Sequence, residues 1–278
     1  VDRILDIAPR SDATVLRLPF PTLAGISLTA AGDMGRSPDR ENPQREVLLG
    51  GFGLNPRECV TQQQVHSRDI VVIAGDDRRL VSEEGGERSL AAGELAEADG
   101  IIVSGGDQSE QGPYRRSGAE LTGSFGRKAS RGASIGVTVA DCLPLFLVDP
   151  RGGSVALLHS GWKGTGILSR AVELMVARCG SRPPELELLI GPGIGSCCYE
   201  VDRERATGFA ELFGRESVAE RNGSCYLDLP AANRGLASAA GIGVVRWIRS
   251  CTHCTAAYHS YRRDGAEQYG HMLAFCAV

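Results

Sequence analysis

The longest apolar runs of the chain lie between residues 135 and 159. "VTVADCLPLFLVD" (137–149) breaks at Asp141-Cys142 and resumes more apolar than before. "SVALLHSGWKGT" (154–165) repeats the figure, with His159 where the apolar positions stop. Such runs predict buried strands, here joined by the turn "DPRGGS". Residues 13–30 predict short strands interrupted at Pro19-Phe20-Pro21. Residues 33–44 read as a polar loop, 45–53 as a short helix stopped by glycine, and 59–73 as strand, turn and strand. Residues 96–104 form a strand entered from an acidic turn. Ile167, Leu168, Ala171, Leu174, Met175 and Cys179 keep helical spacing, which predicts a helix closed by Gly180. "ELELLIGPGIG" (185–195) is a buried strand entering a glycine-rich turn, residues 205–214 and 228–241 read as helices, and 244–248 and 269–278 as strands. Residues 105–133, rich in Gly, Ser, Gln and Arg without periodicity, predict a long surface loop or insertion, or a lid. The irregular interleaving favours an α+β fold: a single domain over 1–278, with a mixed β-sheet core flanked by helices.

Composition narrows the function classes. The formal charge of −4 gives no electrostatic reason to expect nucleic acid as a partner. Nine cysteines, an odd number in a chain of 278 residues, make a poor disulfide framework. The start "VDRILDIAPR" carries charges where a signal peptide is apolar, and no window reaches about 18 uninterrupted apolar residues. The expectation is a cytoplasmic protein off the membrane, a monomer or small homo-oligomer. Positive charge is almost all arginine, with lysine only at 128 and 163; arginine suits phosphate and carboxylate recognition.

Three separate segments hold His66, Cys142 and His159. Two imidazoles and a thiolate suit Zn²⁺, and three protein ligands leave one position open for water or substrate. The same atoms support a second reading: Cys142 as nucleophile, His159 as its base, and Asp141 or His66 as the orienting group. Residue chemistry leaves both open.

Six segments occur in order: "QQQVHS", "ADGIIVS", "VTVADCLPLFL", "VALLHSGWKGT", "IGPGIGSCCYEV" and "CTHCTAAYHSYRRDG". Together they resemble the laccase-domain family, also called multicopper polyphenol oxidase, peptidoglycan editing factor or YfiH/YlmD-like proteins. The resemblance spans roughly residues 15–277, apart from the 105–133 excursion. It implies a YfiH-like α/β sandwich in which His66, Cys142 and His159 ligate one metal, most often zinc, with copper as the alternative. It also implies a purine nucleoside pocket, phosphorolysis of adenosine, inosine, guanosine and methylthioadenosine, and adenosine deamination. Purine nucleoside and phosphate are the implied partners. A true multicopper site needs many more histidines than the five present. The rival readings are a hydrolase of peptidoglycan precursors using the same Cys/His/metal site, a copper polyphenol oxidase, and a metal-binding partner protein with little catalysis.

Further candidates surround this set. The resemblance puts Arg262 and Arg263 near the active site as phosphate ligands; adjacent residues of an extended segment point opposite ways, so one of the two is expected to reach the pocket. Arg45 matches a family arginine. Gly191, Gly193 and Gly195 are expected to let backbone N–H groups approach an anion. Glu200 is a candidate acid/base, Asp141 a candidate acid/base or orienting group beside Cys142, and Gln64, on the strand face of His66, a candidate for lining the site. "CTHC" (251–254) is an isolated C-x-x-C, read without a metal of its own, and Cys197-Cys198 read as packing residues. His271 stands where family members often have arginine, which predicts altered selectivity.

Overall fold

In the computed structural model, which describes residues 2–10, 12–35, 42–105 and 134–278, the two apolar runs are neighbouring strands near the middle of a nine-stranded sheet. The first strands are β1 (Asp2–Leu5), β2 (Val15–Arg17), β3 (Ala24–Ser27), β4 (Cys59–Val60), β5 (Ile70–Ala74), β6 (Asp77–Val81), β7 (Glu87–Ser89) and β8 (Gly100–Val103). There follow β9 (Ser134–Val139), β10 (Leu143–Asp149), β11 (Ser154–Ser160), β12 (Glu187–Ile190), β13 (Glu200–Val201), β14 (Val218–Arg221), β15 (Ser224–Leu227), β16 (Val244–Ile248) and β17 (Met272–Ala277). The helices are α1 (Pro43–Gly50), α2 (Ile167–Cys179), α3 (Arg203–Phe213), α4 (Leu229–Ala239) and the single turn α5 (Tyr261–Asp264).

The large sheet is ordered β1-β16-β12-β10-β11-β8-β5-β6-β7, and a five-stranded sheet is ordered β2-β3-β17-β9-β4. Both mix parallel and antiparallel pairs. The sheets pack face to face: Phe146, Val148, Val155 and Leu157 meet Ile26, Ile135, Val137 and Val139. The opposite face of the large sheet presents Leu143, Leu145, Leu147 and Leu158 to α2 and α4. On the far side of the small sheet, Leu273 and Phe275 pack on Leu48 and Leu49 of α1. Every residue of β10 and β11 is therefore buried, and neither strand has a wet face on which polar residues could alternate. This is the mixed, helix-flanked α/β architecture expected.

Helix α2 ends as expected, with Gly180 at φ 67° and its N–H on the Met175 carbonyl. Helix α1 starts at Pro43, earlier than its apolar spacing suggests, because the Asn42 side chain accepts from Gln44 N and Arg45 N.

Three differences bear on the site. The interruption at Asp141-Cys142, inside what reads as one broken apolar run, is a crossing from the small sheet (β9) to the large one (β10), so the chemistry gathers between the two sheets. Residues 61–69 are irregular, with one isolated β-bridge, Gln63↔Glu97, to the segment before β8, so His66 sits in a turn and not a strand. Arg262 and Arg263 lie in the helical turn α5 and not in an extended segment. The expected excursion at 105–133 falls, beyond Gly105, outside the described residues. Among the described residues no helix is long and apolar enough to cross a membrane.

Candidate metal centre and active-site cavity

The β10/β11 register pairs Leu143 with Ser160 and Pro144 with His159. Cys142, one residue outside the ladder, thus stands beside the end of β11. His66 enters from the turn between β4 and β5. One ligand atom from each of His66, Cys142 and His159 lies within 4.8 Å of the others. The imidazole rings are 4.9 Å apart and nearly perpendicular. Left-handed backbone occurs at His66 (φ 63°) and at Asp141 (φ 83°), a conformation that costs on the order of 1–3 kcal/mol for such residues. The strain sits where the chain must turn to aim donors at one point. Gly161 is required by the same crowding: a Cβ there would meet Cys142 Sγ at 2.5 Å.

Asp99, at the entry to β8, organises the set. It is fully buried. Its Oδ1 lies 2.7 Å from His159 Nδ1, while Oδ2 accepts from Ser67 N (2.6 Å), Ser67 Oγ (2.9 Å) and Val65 N (3.2 Å). One carboxylate thus fixes the ring that carries one donor and the turn that carries another, leaving Nε2 of His159 for the centre. Burial opposes charge on both sides of the adjoining pair but is outweighed. Interaction with His159 and hydrogen bonds from both histidines hold the Cys142 thiol down at about 6. The Cys142 thiolate and the Asp99 hydrogen bond hold His159 up at about 10. In the metal-free chain the pair is a thiolate and an imidazolium. With a bound cation both would be ligands, and the donor chemistry, S and N atoms backed by a carboxylate, fits Zn²⁺ or copper.

These residues open into a cavity of about 850 Å³, a size that suits a small organic ligand. Trp162, Tyr199, Tyr261 and Tyr269 give it aromatic walls, and Lys163, Arg205 and Arg262 bring positive charge. Arg262 lies 5.1 Å from the Tyr199 ring centre and donates to the Glu200 carbonyl at 2.9 Å. Arg205 lies 4.0 Å from the Trp162 ring centre. Lys163 makes no ion pair among the described residues. Burial pushes the Tyr199 phenol up to about 12, with the Cys142 thiolate adding to the effect.

Of the candidates read from sequence, Gln64, Asp141 and Arg262 line this cavity with the three donors. Gln64 is already engaged: its amide donates to Thr138 O and accepts from Thr138 N and Oγ1. Asp141 spends both oxygens, accepting from Thr252 Oγ1 (2.5 Å) and Arg262 N (2.7 Å), so it positions the α5 turn. The group behind His159 is Asp99 and not Asp141. Arg263 turns away, donating to the Thr252 and Tyr258 carbonyls and to Asp264, so one arginine of the pair reaches the cavity, by helical rather than strand geometry. Arg45 is outside the lining, its guanidinium bound to the Met34 carbonyl. Glu200 is exposed and outside the lining as well. In the glycine turn two of the three N–H groups are already engaged: Gly191 N–H donates to Pro144 O and Gly195 N–H to Cys251 Sγ. Its glycines serve packing, since a Cβ on Gly193 would meet Leu143 Cδ2 at 2.5 Å. His271 does line the cavity; burial lowers it although Asp33 pulls the other way, so the position lacks the fixed charge of an arginine.

Asp99 escapes sequence reasoning although it lies inside "ADGIIVS"; an acid before a strand reads as a turn residue, and its partner is 60 residues away. Trp162 and Lys163 immediately follow the His159 strand, and that adjacency is the available signal. Tyr199 and Arg205 carry none.

The chain is 42% identical over 148 residues to a purine nucleoside phosphorylase of Deinococcus radiodurans, an alignment covering 52% of this chain and 57% of that protein. It is 36% identical over 135 residues to adenosine deaminase RL5 of an unknown prokaryotic organism, covering 47% of this chain and 51% of that protein. These alignments span about half the length of the two relatives. The crystal structure of YlmD from Geobacillus stearothermophilus superposes with a TM-score of 0.71 at 26% identity, over 98% of both chains. Residues 127–278, more than half of the chain and the part that supplies Cys142, His159 and Arg262, match the family described as multi-copper polyphenol oxidoreductase laccase, and to that family the chain belongs.

Proposed function

We propose that the chain is a purine nucleoside enzyme. It cleaves adenosine, inosine, guanosine or methylthioadenosine by phosphorolysis and also deaminates adenosine, with one Zn²⁺ on His66, Cys142 and His159. The observation that carries this reading is a three-donor centre opening into a cavity of about 850 Å³ that combines aromatic walls with positive charge. The names of two relatives, a purine nucleoside phosphorylase and an adenosine deaminase, support it.

The metal, when bound, supplies Lewis acidity and an open coordination position. The rest falls to side chains. Trp162, Tyr261 and Tyr269 offer faces on which a purine stacks. Arg262, with Lys163 and Arg205, offsets the charge of phosphate as it attacks ribose C1′ and the bond to the base breaks, its electron pair leaving with the base. Tyr199, protonated at every physiological pH, donates a hydrogen bond towards the departing base. Asp99 keeps the His159 proton on Nδ1, and Asp141 holds Arg262 through its backbone N–H. Glu200 has no part in the scheme.

The test is product analysis by liquid chromatography. Metal-loaded protein is incubated with adenosine, with and without phosphate. Adenine that requires phosphate, or inosine formed without it, is expected. No product from protein holding metal overturns the reading and favours the cell-wall hydrolase, which a muramyl-peptide analogue then tests. The family's description favours a copper oxidase as a second reading, although His66 and His159 leave only three other histidines in the chain. Phenol oxidation that persists with zinc in place of copper would exclude a redox metal.

A further inference from the structure

A second set of soft donors lies outside the cavity. Strands β12 and β16 are parallel neighbours in the large sheet, with Ile190 opposite Trp247. Beyond their C-terminal ends the pairing continues through the bridge Gly193↔Cys251. The chain after β12 then turns, with Cys198 N and Tyr199 N both on Gly195 O, and brings Cys197 and Cys198 round. The chain after β16 turns too, with Thr255 N on Cys251 O, and presents Cys251 and Cys254. The four sulfurs lie within 4.8 Å of one another. Cys197 Sγ and Cys198 Sγ are 3.7 and 3.3 Å from Cys254 Sγ.

From sequence, Cys197-Cys198 read as packing residues and the C-x-x-C at 251–254 as isolated; the structure instead brings the two pairs together. We infer that Cys197, Cys198, Cys251 and Cys254 form a second metal site, a tetrathiolate that holds one Zn²⁺. Sulfurs at the corners of a tetrahedron with Zn–S bonds of about 2.3 Å stand about 3.8 Å apart; the Cys197–Cys254 separation of 3.7 Å matches that spacing and the Cys198–Cys254 separation of 3.3 Å lies within about half an ångström of it. All four are free thiols, and Cys197 and Cys254 are exposed, so an ion reaches them from solvent. Gly195 N–H donates to Cys251 Sγ at 3.2 Å, the kind of backbone bond that steadies a coordinating thiolate. Four thiols alone would have no reason to converge at the surface, where they gain little burial. Binding exchanges four S–H protons for one Zn²⁺, leaves a complex of charge −2, and involves no oxidant. With four protein ligands the ion has no open position, so its role is structural. It ties the turn carrying Tyr199 to the turn that leads into α5 and Arg262.

The site is independent of the reaction proposed above, and metal content tests it directly. The full chain is purified under reducing conditions, loaded with Zn²⁺, and measured by inductively coupled plasma mass spectrometry. Two equivalents are expected in the parent and one in Cys142→Ala, which leaves all four clustered cysteines in place. Co²⁺ in Cys142→Ala should give the thiolate charge-transfer and intense d–d bands of tetrahedral sulfur coordination. Those bands should vanish when Cys251→Ser and Cys254→Ser are added. A Cys142→Ala protein that takes up no Zn²⁺ and shows no tetrahedral Co²⁺ spectrum, while remaining folded by circular dichroism, overturns the assignment. So does a sulfur-bound iron in place of zinc.

Discussion

Replacing Asp99 with Asn isolates the carboxylate that organises the centre. The amide keeps the shape of the side chain but exchanges one acceptor oxygen for an NH₂ donor. Asp99 presents Oδ1 to His159 Nδ1 and Oδ2 to three donors of residues 65 and 67. If the NH₂ faces His159, Nδ1 must accept, the ring proton moves to Nε2, and that nitrogen can no longer ligate. If it faces the other way, it opposes the N–H groups of Val65 and Ser67, and the strained turn at His66 loses its restraint. Both orientations cost a donor. Carboxylates that orient a ligand in this way contribute about 10–100-fold to metal affinity, or about 1.4–2.8 kcal/mol. Competition of Asp99→Asn with a chromophoric chelator for Zn²⁺ should show a loss in that range, with circular dichroism confirming the fold. Asp99→Ala, which leaves buried donors unpaired, should also lower the stability of the metal-free chain, by about 3–5 kcal/mol. An Asp99→Asn protein that binds Zn²⁺ within twofold of the parent would show that the 2.7 Å contact does not set the ligand tautomer.

Gly161→Ala should disable the centre without replacing any of the three donors, because the added methyl occupies the space of Cys142 Sγ; a normal Zn²⁺ affinity would contradict the crowding at 2.5 Å. Zinc uptake at this centre should displace the proton that the Cys142/His159 pair holds between about pH 6 and about pH 10. Apparent affinity should therefore rise about tenfold per pH unit across that window and more steeply below it, where the thiolate also protonates; affinity unchanged from pH 7 to 9 would deny the imidazolium. Arg262→Ala should raise KM for phosphate about tenfold or more with metal content unchanged, the loss of one charge-assisted hydrogen bond. Arg263→Ala should instead lower Tm and spare KM in the material that folds, and steady-state kinetics beside thermal melts separate the two roles.

What the sequence conveys about this site follows the range of the interactions. Cys142 and His159 are legible because each marks the end of an apolar run, and the runs are near enough in sequence to be read as one hairpin. Helix α2 is legible for a similar reason, its spacing and its stop glycine being local. The helical turn of Arg262 and Arg263 is not legible, although Ser260 supplies a cap, its Oγ accepting from Arg263 N; a single turn is too short for periodicity to show. The left-handed backbone at His66 and Asp141 has only a weak signature in residue type: His and Asp adopt it more often than most residues, but neither marks it as glycine does. The cysteine cluster is hidden most thoroughly. A C-x-x-C motif is sought with a second copy of itself, whereas here its complement is a Cys-Cys pair more than fifty residues away, brought near by parallel strand register.

That register also joins the two centres. Cys142 is preceded by Asp141, whose Oδ1 accepts from Thr252 Oγ1, and Thr252 adjoins Cys251 of the cluster. The other oxygen of Asp141 accepts from Arg262 N, at the cavity wall. One buried carboxylate thus bridges the strand crossing that presents Cys142 and the segment that the cluster would pin. With both its oxygens engaged, Asp141 is poorly placed to shuttle protons and well placed to keep the distance between Cys142 and Arg262 constant. Its left-handed backbone follows from this bridging position, because the chain must leave the small sheet, enter the large one, and still turn a carboxylate back towards residues 252 and 262. Such anchoring matters to any reaction in which a group held near Cys142 meets an anion held by Arg262, because misplacing reactants by about 1 Å can cost on the order of a hundredfold in rate.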